Sequence, residues 1–212
     1  MKSNNSTAKT QSLVLEAILA ALLIVMSLTP LGYLKVGPLS ITFNMIPVAI
    51  GGIVLGPIGG LILGVVFGFT SFFQCFGADA FGAYLLELNP FFTFVTCVVT
   101  RALAGFLAGF VNKAISSMKL KSVRFSIVGL CASLLNTAFF VVTMILLFGK
   151  NQINDAVGGA LDSSKNVIAF IASFVTVNAV WEAVAALILT GAICTALSKA
   201  KLIGNFSVKT AK

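Results

Sequence analysis

The sequence predicts an all-α integral membrane protein with six transmembrane helices and both termini on the cytoplasmic side. Three observations carry that prediction. First, 58% of the 212 residues are hydrophobic and only 9% are charged, against roughly 25% charged in soluble domains, and the mean hydropathy is +1.07. Second, apolar stretches near the length of a membrane span, about 20 residues, recur along almost the whole chain. Third, the basic residues gather in three places: Lys2 and Lys9, then Lys113, Lys119, Lys121 and Arg124, then Lys199, Lys201, Lys209 and Lys212. With six spans all three groups fall on one side, which the positive-inside rule makes cytoplasmic.

The spans follow in order. The first covers Gln11–Thr29 and ends before Pro30. Its apolar run, Leu13–Leu28, has no small-residue cleavage site behind it, so it is read as a helix rather than a signal peptide. The second covers Ile41–Gly56 and the third Ile58–Gln74, joined at Gly56-Pro57. Both are short. Pro47 is expected to bend the second. The fourth covers Pro90–Val111, the fifth Phe125–Phe148 and the sixth Val167–Leu197, long enough for its first turns to stand outside the membrane. Three loops then face outward, Pro30–Ser40, Cys75–Asn89 and Gly149–Asn166, and hold Asp79, Glu87, Asp155 and Asp162. The domain organisation expected is a tail at 1–10, one membrane domain at 11–198 and a tail at 199–212.

Composition also excludes functions. The net charge of +8 sits in short segments without interleaved aromatics, unlike a nucleic-acid surface. There is no histidine, and the six acidic residues are scattered, so no catalytic residue, metal site or cofactor is expected. No Walker motif is present, so the chain does not itself hydrolyse ATP. The four cysteines, Cys75, Cys97, Cys131 and Cys194, form no C-x-x-C pair and read as buried free thiols. No internal repeat marks an inverted-repeat transporter.

Several patterns point to sites. Ala17 and Ala21 lie four apart, with Ala20 beside them, and make a stripe of small residues. The stripe either packs on the chain's own helices or docks another membrane protein. Gly52, Gly56, Gly60, Gly64 and Gly68 read as close packing between the second and third spans. Arg101 lies roughly 16 Å into the fourth span, and Glu182 lies toward the middle or inner half of the sixth. Charges at such depth face the protein interior. They form an ion pair, or one of them meets a charged substrate or partner helix. Asn44, Ser71, Gln74 and Asn89 near the outer halves of spans, with Asn136, Asn178 and Trp181 deeper, resemble an apolar pocket with a few polar fixers.

These residues together resemble a known family. The chain looks like the substrate-binding S-component of an energy-coupling factor (ECF) vitamin transporter over Leu13–Leu197. The likeness rests on six spans, on Ala17-x-x-x-Ala21, and on ITFNMIPVAIGGIVLGPIGGLILGVVFGFTS. The order Lys35-Val36-Gly37, Ile41-Thr42-Phe43, Ile46-Pro47, then G-x-x-x-G-P-x-x-G is similar to the subgroup with folate, riboflavin and pantothenate carriers. NPFFTFVTCVVTRALAGFLAG looks closest to the pantothenate-type members. The resemblance implies capture of a vitamin, with pantothenate first and folate, riboflavin or pyridoxine as alternatives. It implies docking through Ala17, Ala20 and Ala21 on a transmembrane coupling subunit with two ATP-binding subunits. It also implies a lid, Leu34–Ser40, and a multi-pass protein of a prokaryotic plasma membrane. Arg101 or Lys35 would pair with the carboxylate of pantothenate, and the asparagines would serve its hydroxyl and amide groups. A membrane enzyme acting on lipid or isoprenoid substrates, or a stand-alone channel or scaffold, are the readings from other classes.

Overall fold

The computed structural model describes residues 3–29, 32–36, 39–158 and 167–200. The chain forms α1 (Ser3–Leu28), a hairpin of β1 (Tyr33–Val36) and β2 (Leu39–Thr42), α2 (Met45–Val54), α3 (Gly56–Gln74) and α4 (Ala80–Leu88). It continues through α5 (Pro90–Phe94), a wide π-helical turn (Val95–Val99), α6 (Thr100–Ala114), α7 (Lys121–Gly158) and α8 (Val167–Lys199). Residues 149–158 of the expected third outer loop continue α7 instead; residues 159–166, with Asp162 and Lys165, and those from 201 onward lie outside the described residues.

Among the described residues, five stretches are long and apolar enough to cross a membrane: Thr10–Leu28, Gly56–Gln74, Pro90–Ala114, Lys121–Phe148 and Asn178–Lys199. The expected second span is different. Residues 41–44 belong to the hairpin and its exit, and the helix is ten residues, Met45–Val54. Every one of those ten is buried, because α2 packs against α1, α3, α6, α7 and α8. A helix apolar on all faces belongs either in lipid or in a core, and here it is the core. In a bilayer that burial adds packing contacts rather than transfer free energy, since lipid tails are as apolar as the side chains. Pro47 does not bend the helix. It sits in the first turn, where its missing N–H has no intrahelical acceptor to lose.

The glycine row brings α2 and α3 together as expected, with a Cβ at Gly60 only 3.2 Å from Gly52 Cα, and it serves a further neighbour as well. A Cβ at Gly60 would collide with the Gly105 carbonyl oxygen, one at Gly64 would lie 2.9 Å from Ala102 Cα, and one at Gly52 would lie 3.0 Å from the Gly109 nitrogen. These glycines let α6 lie backbone to backbone on α2 and α3. The turn between α2 and α3 needs glycine for another reason: Gly56 has φ +83, a left-handed conformation that costs other residues roughly 1–2 kcal/mol.

The hairpin pairs Tyr33 with Thr42 and Lys35 with Ser40. The segment Cys75–Asn89, expected as a loop, contains α4. Asp79 caps it by accepting from Gly82 N at 3.0 Å, and Leu85 packs with Met144 and Phe148 of α7.

Candidate functional site

The site grows from one irregularity in the fourth span. The π-helical turn Val95–Val99 interrupts an otherwise α-helical path from Pro90 to Ala114. Such a turn breaks the regular hydrogen-bond ladder and is frequent at functional sites. Side chains one turn on make use of the carbonyls it presents. Thr100 Oγ1 donates to Thr96 O, and Arg101 Nη1 donates to Thr96 O at 3.2 Å and Cys97 O at 3.0 Å.

Arg101 is 8% exposed. Phe67 of α3 and Phe140 of α7 lie against its guanidinium, with ring centroids 4.9 and 5.4 Å from Cζ. Cation–π contact of this kind favours the charged group and restrains its plane. Gly64 packs directly on the Arg101 backbone, so the glycine row fixes where this residue stands. The buried Nε has no partner, and Nη1 alone carries the hydrogen bonds of this side chain. Nε and Nη2 together are the edge of a guanidinium that grips a carboxylate with two parallel bonds.

Glu182 of α8 is also 8% exposed. No ion pair joins it to Arg101 among the described residues. Its Oε1 accepts from the backbone N–H of Thr42 at 2.7 Å, which fastens the hairpin to α8. Thr42 is buried, and its Oγ1 accepts from Asn44 N at 3.3 Å.

Helices α7 and α8 supply the remaining wall. Gly129 lies against Ala186 and Thr190, and Gly191 against Ser126, so the two helices run antiparallel. Carried two turns further, that register places Asn136 level with Glu182 and Phe140 level with Asn178. Asn136 is buried and its Oδ1 has no partner. The buried Ser133 Oγ, one turn below, is also unpaired. Asn178 lies one turn from Glu182 and is buried too. The described bundle thus buries a cation flanked by Phe67 and Phe140, a carboxylate engaged by the hairpin, and, on α7 and α8, the polar side chains of Ser133, Asn136 and Asn178.

Other residues of interest fall elsewhere. Asn44 donates from Nδ2 to Ser27 Oγ at 3.0 Å, Ser27 donates to Thr70 Oγ1 at 3.0 Å, and Gln74 donates to the Ser27 carbonyl. These bonds tie together α1, α2 and α3. Ser71 is buried on α3, where its carbonyl accepts from Cys75 Sγ. Asn89 caps α5 by accepting from the Phe91 and Phe92 N–H groups at 3.0 and 3.1 Å. Trp181 faces outward, 63% exposed. Lys35 is on β1, and its side chain lies outside the described residues. Sequence reasoning missed the π-helical turn, Phe67 and Phe140. No local signal distinguishes these two rings from the other seventeen phenylalanines.

Ala17 and Ala21 are exposed on α1, in line with Leu13, Ile24 and Leu28. Leu19 and Leu23 on the opposite side enter the core, and Ala20 packs against it. Among the described residues, Ala17 and Ala21 are therefore left uncovered, whereas Ala20 packs on the chain's own helices.

The fastening of the hairpin gives a first test. Glu182→Ala removes the acceptor for Thr42 N–H, and amide exchange at Thr42 is expected to rise by about tenfold, as loss of one charge-assisted bond implies. Glu182→Gln keeps an acceptor and should change exchange much less. Equal exchange in all three proteins would show that Glu182 does not hold the hairpin.

The fold is a bundle of apolar helices with polar side chains buried inside it, an arrangement suited to holding a small solute. Comparison with known proteins agrees. The family described as ECF transporter, substrate-specific component, matches residues 11–194, and the chain belongs to it. It is also 27% identical over 199 residues to the pantothenate transporter PanT of Leuconostoc mesenteroides subsp. mesenteroides, covering 90% of this chain and 92% of that protein. The chain is thus the substrate-binding S-component of an ECF-type vitamin importer, a bacterial multi-pass membrane protein and not an enzyme. Membership in the family implies partner coupling and ATPase subunits.

Proposed function

We propose that this S-component captures pantothenate from outside the cell and delivers it through an ATP-driven ECF module. The observation that carries the reading is buried Arg101, whose Nε has no partner and whose Nη2 makes no hydrogen bond among the described residues. A buried cation without a carboxylate neighbour is costly, and an anionic cargo relieves that cost on binding. Pantothenate offers a carboxylate for Arg101 and hydroxyl and amide groups for Asn136, Ser133 and Asn178. The similarity to PanT supports the same cargo.

In this account α2, with the hairpin above it, completes a sixth crossing. Asn44 bonds to Ser27 near the end of α1, and the far end of α2 meets Gly109 near the end of α6. Both termini and the basic loop at 113–124 are then cytoplasmic, in accord with the positive-inside rule. The hairpin is the lid, with Lys35 at its edge, and Glu182 is its latch. Ligand mass spectrometry of protein purified in mild detergent tests the cargo. Co-purified pantothenate supports it, whereas folate, riboflavin or pyridoxine in its place would reassign the cargo within the same class.

The exposed stripe of Ala17 and Ala21, with Ala20 at its inner edge, is the docking surface for the coupling subunit. Small residues let two helix backbones approach closely. Ala17→Trp is expected to reduce co-purification of the ATPase subunits by about tenfold or more, the cost of overpacking a close helix contact, with cargo affinity unchanged. Undiminished assembly would remove the stripe from the interface.

A further inference from the structure

Cys75 closes α3, and Cys97 lies inside the π-helical turn. Their sulfurs are 3.9 Å apart. Both residues are buried, together with Val98 and the partly buried Phe72, Leu86 and Phe94. Cys75 Sγ also reaches the Ser71 carbonyl at 3.4 Å. On its other side α4 comes so close that a Cβ at Gly82 would lie 2.6 Å from the sulfur. Cys131 and Cys194 are on α7 and α8. The carbonyl of Cys97 is one of the two that hold Arg101 Nη1.

The geometry points to a modification site: Cys75 and Cys97 are a dithiol that closes to a disulfide, pinning α3 to the turn that holds Arg101 and weakening the grip on an anionic ligand. Two thiols in contact need only side-chain rotation and a small backbone shift to reach the bond length of about 2.05 Å. The oxidant is a small external disulfide. One cysteine, as thiolate, attacks it and releases one external thiolate. The second cysteine then displaces the other external half from the mixed disulfide. Two S–H bonds are lost, one S–S bond forms inside the protein, and the external disulfide is reduced to two thiols. α4, a nine-residue helix, is the cover that must lift for the oxidant to enter. Drawing Cys97 toward Cys75 moves the Cys97 carbonyl away from Arg101 Nη1, and the guanidinium follows the carbonyl that remains, on Thr96.

The pairing itself stands apart from the proposed cargo, while its effect on affinity rests on the pantothenate reading. The test treats the folded, detergent-purified protein with diamide, a small azodicarboxamide that takes up two electrons and two protons as the disulfide forms. Thiols are then titrated after denaturation. The expected result is loss of two of the four thiols in the wild type and of both remaining thiols in a Cys131→Ser/Cys194→Ser variant, with no intramolecular loss in Cys75→Ser or Cys97→Ser. Retention of all four thiols in the wild type overturns the pairing, as does loss that requires Cys131 or Cys194. Pantothenate affinity is expected to fall about tenfold on oxidation, the cost of one charge-assisted bond, and to recover on reduction. A disulfide that forms without changing affinity overturns its control of Arg101. Absence of pantothenate binding in both redox states refutes the cargo instead, and the thiol count still decides the pairing.

Discussion

Arg101→Ala is expected to weaken pantothenate binding by about 30-fold to a few thousand-fold, the 2–5 kcal/mol cost of truncating one partner of a buried, hydrogen-bonded charge pair. The loss follows from two features. Nε has no partner and Nη2 makes no hydrogen bond among the described residues, so both can meet the ligand, and Phe67 and Phe140 restrain the plane in which they point. Arg101→Lys keeps the charge but not the two-pronged edge, so its affinity should fall between the two, about tenfold below wild type. Isothermal titration of purified protein measures both. Because Arg101 bonds only to carbonyls of its own turn, the alanine variant should still fold, and its thermal unfolding in detergent is the control. Unchanged affinity in folded Arg101→Ala would remove this residue from the site.

The largest effect on stability is expected at the contact of α3 with α6. In Gly105→Leu the added Cβ alone would strike the Gly60 carbonyl oxygen, with Val48 Cγ1 at 2.8 Å and the Gly60 carbonyl carbon at 2.9 Å. Two of these three atoms are backbone, so no rotamer change relieves the clash and the helices must separate. Overpacking costs about 1–3 kcal/mol where side chains can adjust. Here the cost should reach or exceed that range, seen as a lower unfolding temperature in detergent. Separating α6 from α3 also moves Arg101 from Phe67, so the surviving folded fraction should bind cargo poorly. A Gly105→Leu protein as stable as wild type would show that the backbones are not in contact.

Charge and hydropathy made much of this architecture legible. The five long helices lie close to their expected positions because each must satisfy its own backbone in lipid, which leaves a strong local signal. Arg101, Glu182, Asn136 and Asn178 stood out for a similar reason, since polar groups in apolar helices seldom lack a purpose. The arrangement among them was not legible. Glu182 bonds to a backbone N–H 140 residues away in sequence, and nothing local announces such a partner. In the sequence, Gly37 and Pro38 between apolar, β-branched flanks were a hairpin signal, but in an otherwise helical membrane chain the segment read as a loop. α2 was overextended because a core helix and a lipid-facing helix share one composition. Asn44, Gln74 and Asn89, read from the sequence as ligand contacts, make a tie between helices and a helix cap. An asparagine that satisfies the protein's own backbone or a neighbouring hydroxyl looks, in sequence, the same as one that waits for a ligand.

The central claim is that the guanidinium of Arg101 holds the carboxylate of the cargo. Its most direct measurement is a double-mutant-type cycle between wild type and Arg101→Ala, titrated with pantothenate and with the neutral analogue in which the carboxylate is replaced by a primary alcohol. The account predicts that wild type binds the alcohol at least about 30-fold more weakly than pantothenate, and that Arg101→Ala binds the two ligands alike. A wild type that binds both equally, or an Arg101→Ala variant that keeps the full preference for the carboxylate, would contradict it.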